Sequence, residues 1–389
     1  MTRKERKTCI AQGFAARFEQ EPTLWVQAPG RVDLMGSHTD YNEGFVMTMS
    51  IDRETWIALR PRDDRKVSIA SLNLEGSSEF SLDDMTHDQT APWTNYVRGV
   101  IKVLQERGYE LQGFDGLIDS TIPFGSGLSS SAALEVATAT AFKVLGNLDI
   151  DAVNIALLCQ RAENEFVGMK CGILDQYSSA LGEAGCSVVL DCRNLTHRLA
   201  SIPEDISVVI CDTCAKRELT GSEYLERRTQ CETGARLLAS LLPEIKTLRD
   251  VTIKQFEYYE ADLPDFVAKR SRFIIEENQR VLDLAKALEQ GDRERIAALT
   301  AESYAGARDL FGIGSPEMEV MMKAMRSAPG VIGARQTGAG FGGCMVAFVE
   351  NGWVEGFAEH VQMMYTDETN IQPNVYPVQA ASGAGVLSE

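Results

Sequence analysis

The pattern of apolar and polar positions in the first third of the chain predicts one helix followed by several strands. A short amphipathic helix is predicted at 10–18, and alternating or clustered apolar residues predict strands at 24–28, 47–60, 67–71 and 117–122. Trp93 opens a helix that should run to about Glu106, after an acidic loop near 83–89. Strands and helices are therefore interleaved.

The rest of the chain is richer in helices. Their predicted positions are 132–137 and beyond, 153–166, 220–241, 252–259, 264–290, 292–311 and 316–328. Two apolar runs, 187–191 and 206–212, have the composition of buried strands, and we expect them to share a mixed sheet. A further strand is predicted at 345–349, and the small-residue tail at 380–385 is expected to end on the surface. The pattern as a whole indicates a mixed α/β protein.

Length and charge narrow the class of protein. A chain of 389 residues is long enough for a large core and more typical of two domains than of one. A hydrophobic content of 44% with 24% charged residues is ordinary for a globular protein. The net charge of −18 disfavours nucleic acid and anionic membrane as partners. An anionic substrate would need a local positive site.

The N-terminus and the cysteines indicate a cytosolic protein. The first seven residues are basic, but an amphipathic run follows them and not the apolar core of a signal peptide. No stretch approaches the roughly 20 apolar residues that span a membrane. Nine scattered cysteines fit reduced thiols better than a disulfide framework. Cys211 and Cys214 form a lone Cys-x-x-Cys, which favours two thiols at a strand end over a metal or redox site.

A loop rich in glycine and serine at 123–131 lies between a predicted strand and a predicted helix. Gly125 and Gly127 would let the backbone bend closely around a ligand. The unpaired N–H groups of a helix start suit an anion such as phosphate. The alternative is an ordinary turn in which Ser129 or Ser130 caps the helix. The loop is not a Walker A motif, because no Gly-Lys-Ser or Gly-Lys-Thr ends it.

A second polar segment, 29–44, lies between the predicted strand at 24–28 and the apolar residues that follow it. It collects side chains that can bind a polyol: Arg31, Asp33, His38, Asp40, Tyr41 and Asn42. The alternative is a turn-rich surface loop whose Asp and Asn side chains bind their own backbone. Arg31 has apolar neighbours, so a partner or a ligand is expected for its guanidinium.

Further candidates occur singly. Asp175, between apolar and small residues, is either a helix cap or a functional acid. Only one of Glu163 and Glu165 can easily face inward, because residues two apart point to different sides of a helix. Trp93 and Tyr96 are three residues apart and share one face of a helix. They either pack in the core or form one edge of an aromatic pocket. The glycine-rich turn at 335–344 permits close approach to a bound group or makes a tight hairpin.

Together these segments resemble the galactokinase branch of the GHMP small-molecule kinases. The resemblance spans nearly the whole chain and is carried by 29–42, the loop at 123–132, 171–176, 222–228 and 337–344. It implies the GHMP kinase fold, with two mixed α/β domains, 1–190 and 191–389, and the active site in the cleft between them. It also implies a monomer that acts on a monosaccharide, with ATP as co-substrate and Mg²⁺ as cofactor.

The resemblance also implies a role for each candidate. Asp175 would take the proton of the anomeric hydroxyl, and Arg31 would keep Asp175 ionised. The residues implied to bind the ATP phosphates are Gly125, Ser126, Gly127, Leu128, Ser129 and Ser130. Trp93 and Tyr96 would border the adenine, while Ser130 and Glu163 would hold Mg²⁺. The residues implied to bind sugar hydroxyls are His38, Asp40, Gly172 and Tyr224.

Three positions depart from the family's usual residues. Ser37 stands where a glutamate usually accepts the C6 hydroxyl, Asp33 where Asn is usual, and Thr48 where Pro is usual. Ser37 could reach a hydroxyl through water and would tolerate a C6 carboxylate. The chain is therefore expected to be a sugar 1-kinase for galactose or a close relative, with galacturonate and L-arabinose as alternatives. A non-catalytic sugar and ATP sensor, or another GHMP kinase such as a mevalonate or homoserine kinase, is less favoured, because the central loop and the sugar segment are intact.

Overall fold

The computed structural model describes residues 1–215 and 222–387. The side chain of Ser222 and the predicted helix start at Thr220 lie outside this description. In chain order the elements are α1 (Arg3–Phe18), β1 (Leu24–Met35), β2 (Phe45–Pro61), β3 (Lys66–Ser71), β4 (Ser77–Ser81), α2 (Thr94–Glu106), β5 (Phe114–Ser120), α3 (Ser130–Leu145), α4 (Ala152–Ala162), α5 (Leu174–Leu181), β6 (Cys186–Asp191), β7 (Thr196–Ser201), β8 (Ile206–Asp212), α6 (Ser222–Leu241), α7 (Ile253–Tyr259), α8 (Asp265–Gln290), α9 (Arg293–Ala305), α10 (Pro316–Ser327), β9 (Val331–Gln336), β10 (Cys344–Glu350), α11 (Val354–Thr369), β11 (Asn374–Val378) and β12 (Gly385–Val386).

The larger sheet has eight strands and is mixed. Its main path is β12-β1-β2-β5-β3-β4, and β6 and β7 extend it from β2. All its pairs are antiparallel except β3 with β5. The long strand β2 pairs with β1 along most of its length, and on its other side with β6 near its start and with β5 near its end. This strand therefore holds the sheet together.

The smaller sheet has four antiparallel strands in the order β11-β8-β10-β9. The expectation that 187–191 and 206–212 share a sheet is wrong. Leu190 of β6 pairs with Val46 in the larger sheet, whereas Cys211 of β8 pairs with Met345 in the smaller one. Both runs are buried strands as predicted, but an apolar pattern identifies the buried faces of a strand and not its partner.

The end of the described chain returns to the larger sheet. Val386 of β12 pairs with Val26, and the N–H of Ala381 donates to the carbonyl oxygen of Ser50 at 2.9 Å. The tail at 380–385 lies at the surface as expected, since none of its residues is buried, but it is also held by the sheet. Its small side chains allow the backbone to lie close to β1, where hydrogen bonds to the sheet hold it.

Helix α3 is enclosed on all sides. Every residue from Ala132 to Phe142 is buried, and the helix packs against β1, β2, α2, α4 and α5. A helix that is buried around its whole circumference is typical of a core, and the small residues of α3 let its neighbours approach closely. This packing fixes the direction in which the start of α3 points.

Several other helices begin as the sequence predicts. Thr252 and Gln255 form a capping box at α7, and Ser315 caps α10 with Pro316 at its first position. The helices predicted at 153–166 and 292–311 each end in a π-helical turn, at Glu163–Val167 and Gly306–Phe311. Among the described residues, no helix is long and apolar enough to cross a membrane.

Candidate active site

A cleft of about 610 Å³ brings together the segments that the sequence separates. Its walls come from β1, the segment after β1, the loop before α3, residues near Gly172, the start of α6 and the turn between β9 and β10. The predicted site residues that line it are Arg31, Ser37, His38, Asp40, Tyr96, Gly125, Gly127, Ser129, Ser130, Glu163, Gly172, Asp175 and Tyr224. Asp33 lines it as well.

The start of α3 faces this cleft without a side-chain cap. Ser129 occupies the N-cap position in the left-handed conformation, with φ 61°, and no side chain of the described residues caps the helix. Its buried Oγ has no hydrogen-bond partner within the described chain. Gly125 and Gly127 also have positive φ, at 72° and 87°. The capping alternative is therefore wrong, and the first N–H groups of α3 remain available for an anion.

Arg31 has the partner that the sequence requires. Its Nε and Nη2 donate to Oδ1 of Asp175 at 2.8 and 2.5 Å, and its Nη1 donates to the carbonyl oxygen of Gly127 at 2.7 Å. Asp175 lies in the first turn of α5, whose N-cap is Ile173, so it does not cap the helix. The guanidinium thus ties a partly exposed carboxylate to the loop before α3.

A buried polar cluster lies behind the start of α3. Nε2 of Gln176 donates to Oε2 of Glu163 at 2.6 Å and to Oε2 of Glu135 at 3.0 Å. Burial raises the pKa of Glu163, and the nearby Asp175 charge raises it further. Burial also raises the pKa of Glu135. Glu165 is exposed and pairs with Arg161, so Glu163 is the inward-facing member of the pair, as expected.

His38 lines the cleft with both ring nitrogens engaged. Nε2 lies 2.9 Å from the carbonyl oxygen of Ala339, and Nδ1 lies 2.9 Å from the hydroxyl of Tyr41. Burial lowers the pKa of His38 to about 4, so the ring is neutral. A carbonyl can only accept, which assigns the proton to Nε2 and makes the tyrosine hydroxyl the donor to Nδ1. His38 therefore joins the sugar segment to the turn between β9 and β10.

Asp40 and Gly172 are in contact in the wall of the cleft. A Cβ added at Gly172 would lie 1.6 Å from Oδ2 of Asp40, so only glycine leaves room for this carboxylate. Burial raises the pKa of Asp40 to about 6, and the Asp175 charge adds to the effect. Tyr224 lies beside them, with its ring centroid 5.3 Å from that of His38. An acidic and an aromatic group thus face the same space.

Asp33 and Ser37 are neighbours in the wall of the cleft. The hydroxyl of Ser37 donates to Oδ2 of Asp33 at 2.5 Å and accepts from Nη2 of Arg335 at 2.9 Å. The same Nη2 donates to Oε1 of Glu277 at 3.1 Å. Burial raises the pKa of Asp33, while Arg335 opposes the shift. Arg335 and Glu277 lower the cost of burying each other's charge. Although burial alone would raise the pKa of Glu277, the charges of Arg280 and Arg335 lower it.

Three residues predicted to bind the nucleotide do not line the cleft: Trp93, Ser126 and Leu128. The indole N–H of Trp93 donates to the carbonyl oxygen of Glu75 at 3.2 Å, and Leu128 is fully buried. The hydroxyl of Ser126 donates to the carbonyl oxygen of Pro123 at 2.8 Å. Ser126 and Leu128 therefore shape the loop through its backbone, while Tyr96 is the aromatic residue that reaches the cleft.

Several lining residues were not assigned roles from the sequence. They are Ser131, Gly168, Met169, Lys170, Cys171, Leu174, Leu225, Gly338, Ala339, Gly340 and Phe341. The glycine-rich turn at 335–344 was the available signal for the last four. A Cβ on Gly338 would meet the carbonyl oxygen of Gly127 at 3.6 Å. The turn therefore packs against the loop before α3. This contact joins residues far apart in the sequence, so no local sequence pattern predicts it.

Comparison with known proteins identifies the family. Residues 12–61 match the family model described as galactokinase galactose-binding signature. Residues 95–183 match the N-terminal domain of the GHMP kinases, and residues 284–356 match their C-terminal domain. A galactokinase of Roseiflexus sp. (strain RS-1) is 43% identical over 97% of this chain and 96% of its own. The chain belongs to the galactokinase family.

Other relatives of this family agree. A galactokinase of Chloroflexus aggregans is 42% identical over 97% of this chain and 96% of its own length. The crystal structure of Lactococcus lactis galactokinase complexed with galactose superposes with a TM-score of 0.94 at 33% identity, covering 98% of this chain and 99% of that one. Mevalonate kinase of Methanococcus jannaschii has a TM-score of 0.66 at 17% identity over 92% of this chain and 98% of its own, a likeness of fold alone. The GHMP kinase fold and the resemblance are confirmed.

Proposed function

We propose that this protein transfers the γ-phosphoryl group of ATP to the anomeric C1 hydroxyl of galactose, giving α-galactose 1-phosphate and ADP. The observation that supports this most directly is the Arg31 guanidinium, which contacts both Asp175 and the Gly127 carbonyl. One side chain thereby couples a carboxylate on α5 to the loop before α3. Phosphoryl transfer depends mainly on alignment and charge neutralisation, and this arrangement serves both.

Asp175 acts as the base. Both hydrogen bonds from Arg31 go to Oδ1, so Oδ2 is the oxygen that takes the proton of the C1 hydroxyl. The C1 oxygen then forms its bond to the γ-phosphorus while the bond from that phosphorus to the β,γ-bridging oxygen breaks, and ADP leaves with the electron pair. Arg31 stabilises the negative charge on the transferring group because it is buried and fixed before the reaction.

The loop before α3 binds the phosphates through backbone N–H groups of its residues and of the uncapped helix start. The donor set also fits Mg²⁺, which takes oxygen ligands and is typically bound by one or two carboxylates together with substrate phosphates. Ser130 and Glu163 both line the cleft and are the residues that would hold it. The bound cation would neutralise phosphate charge and lower the pKa of Glu163.

The sugar is bound by the segment after β1 and by the start of α6. Asp40 and Tyr224 supply polar groups beside Gly172, whose missing side chain leaves space for the Asp40 carboxylate. His38 acts here by positioning, because both of its nitrogens have protein partners. A sugar between these groups has its C1 hydroxyl toward Asp175.

The test is ADP release by the purified protein with MgATP and a panel of sugars: galactose, galacturonate, L-arabinose, N-acetylgalactosamine and glucose. The expected result is the highest kcat/KM with galactose. The Asp175→Ala variant should lose turnover but keep nucleotide binding. If Asp175→Ala retains turnover, the assignment of Asp175 as the catalytic base is wrong. If the wild-type protein binds sugar and nucleotide without turnover, the proposed kinase activity is wrong and a sensor function is favoured.

A further inference from the structure

The side-chain amide of Gln176 bridges two carboxylates behind the start of α3. Its Nε2 donates to Oε2 of Glu163 at 2.6 Å and to Oε2 of Glu135 at 3.0 Å. An amide nitrogen carries two hydrogens, so these two bonds use both of them. Gln176 and Glu135 are completely buried, whereas Glu163 lines the cleft and is 7% exposed. The amide therefore connects a carboxylate in the wall of the cleft to one in the core.

The two carboxylates fix the orientation of this amide. A reversed amide would turn its carbonyl oxygen toward two carboxylate oxygens, and both hydrogen bonds would be lost. As it stands, Oε1 of Gln176 and Oε1 of Glu135 have no hydrogen-bond partner within the described residues. Buried polar atoms without partners lower stability. Stability alone therefore does not explain why a glutamine and a glutamate occupy these positions.

Glu163 is held in one arrangement by its surroundings. Sγ of Cys171 also contacts its Oε2, at 3.3 Å. At the backbone, the carbonyl oxygen of Glu163 accepts from the N–H groups of Gly168 and Met169 at 2.9 and 3.0 Å, which closes the π-helical turn that begins at Glu163. Because the contacts from Gln176 and Cys171 both end on Oε2, Oε1 is the oxygen left for a metal ion.

Gln176 also links the elements that carry the other reactive groups. Glu135 lies on α3, whose first residue is Ser130, the second residue that we assign to Mg²⁺. Gln176 follows Asp175 on α5, and neighbouring residues of a helix point in different directions. Asp175 lines the cleft while Gln176 lies in the core. One buried amide thus ties the residues assigned to Mg²⁺ to the helix that carries the base.

We propose that Gln176 is a positioning residue for the metal site: its amide holds Oε2 of Glu163 so that Oε1 is directed toward the Mg²⁺ that accompanies ATP, and Glu135 anchors the amide from the core. The inference rests on the proposed kinase function and deepens it. Groups that hydrogen-bond to a metal-ligating side chain typically change metal affinity by about 10- to 100-fold. The alternative is that Gln176 only packs α5 against α3, in which case its loss would affect both substrates equally.

The experiment measures binding of MgATP and of galactose to the wild-type protein and to Gln176→Met by calorimetry. Methionine has nearly the size of glutamine but no N–H donor. The Kd for MgATP should rise at least about tenfold in the variant, on the scale of such partners, while the Kd for galactose should stay within about twofold. An unchanged Kd for MgATP, or an equal rise for both ligands, would overturn the proposal.

A second comparison shows whether Gln176 acts through Glu163. In the Glu163→Gln background, adding Gln176→Met should raise the Kd for MgATP by less than about twofold further, because the carboxylate that the amide positions is already gone. Independent effects of the two substitutions, which multiply in the double variant, would place Gln176 outside the metal site and contradict the proposal.

Two further variants keep the test decisive. Gln105→Met is the matched control, since Nε2 of the half-buried Gln105 donates to the carbonyl oxygen of Leu82 at 2.7 Å outside the cleft. It should leave both Kd values within about twofold; a rise in the Kd for MgATP as large as that of Gln176→Met would overturn the proposal. If Gln176→Met does not fold, Gln176→Asn replaces it, because the shorter amide cannot contact both carboxylates. Its Kd for MgATP should still rise at least about threefold, and an unchanged value would contradict the proposal.

Failure of the inference and failure of the kinase assignment give different results. If the wild-type protein phosphorylates galactose but Gln176→Met leaves MgATP binding unchanged, only the role of Gln176 is wrong. If the wild-type protein binds MgATP without phosphorylating a sugar, the kinase assignment is wrong, and the Kd for MgATP still decides the role of Gln176. A wild-type protein that binds neither MgATP nor galactose overturns both.

Discussion

Replacing Arg31 by lysine tests whether the geometry of its guanidinium, and not only its charge, serves catalysis. Arg31 makes three hydrogen bonds, two to Oδ1 of Asp175 and one to the carbonyl oxygen of Gly127. An ammonium group keeps the charge but cannot reach both partners with the same fork. The variant should therefore loosen Asp175 from the loop before α3.

The expected magnitude follows from the number of bonds lost. Lysine can keep one of the three, and each hydrogen bond to a charged group contributes about 1.5–3 kcal/mol. Asp175 is 29% exposed, so water replaces part of the loss. A net loss of about 3 kcal/mol in transition-state stabilisation remains, which corresponds to about a hundredfold fall in kcat/KM.

The assay is steady-state ADP release with galactose and MgATP, together with thermal unfolding of the same samples. Arg6→Lys is the matched control. Arg6 is also buried, and its guanidinium donates to Asp119 at 2.6 Å and to backbone carbonyl oxygens of Glu54 and Asp119 at 3.0 Å. Its replacement should lower the unfolding temperature and leave kcat/KM within about twofold.

Three results would refute this reasoning. In the first, Arg31→Lys keeps kcat/KM within threefold of wild type, which would mean that the charge alone suffices. In the second, Arg31→Lys and Arg6→Lys lose stability and activity to the same extent, which would make Arg31 a structural residue. A fall confined to the KM for MgATP would also contradict a link to Asp175, because it would place the whole effect on the loop before α3.

Three further predictions concern the same cleft. Gly172→Ala should raise the KM for the sugar at least about tenfold with little change in unfolding temperature, because the new methyl group displaces the end of the Asp40 side chain and not the backbone; an unchanged KM would contradict this packing. The raised pKa of Asp40, about 6 against 3.8, predicts that kcat/KM for the sugar rises with pH through about 6 and that Asp40→Asn removes this limb. Because Asp40 binds its proton more tightly in the folded protein than in the unfolded one, the free energy of unfolding of the ligand-free protein should fall as pH rises from about 4 to about 6. Denaturant titration at several pH values measures this free energy, and a constant value over that range would contradict the raised pKa. Glu163→Gln should raise the Mg²⁺ concentration for half-maximal rate at least about tenfold, while the exposed Glu165→Gln should not; equal responses would reject Glu163 as a ligand.

The segments that carry the site could be predicted from the sequence because each has a local physical signature. Capping residues and apolar periodicity predict α7 and α10. The glycine and serine loop before α3 signals an anion site by composition, and the unfavourable burial of Arg31 signals a partner. Spacing also separates Glu163 from Glu165, since a helix cannot turn both inward.

Tertiary structure alone decided which of these segments meet. Strand pairing separates β6 from β8 and returns β12 to β1, because a strand's apolar face is local but its hydrogen-bonding partner is not. Packing of α3 leaves Ser129 as an N-cap without a cap bond, and Trp93 bonds to Glu75 instead of facing the cleft.

The pairing of Asp33 with Arg335 belongs to the same class. The sequence determines that both residues are charged and that Asp33 lies two positions after Arg31. It does not determine that β9 brings Arg335 to the carboxylate, or that Ser37 joins the two. Charge partners far apart in the chain are chosen by the fold, because the cost of burying each charge is met only where the packing brings the opposite charge to it.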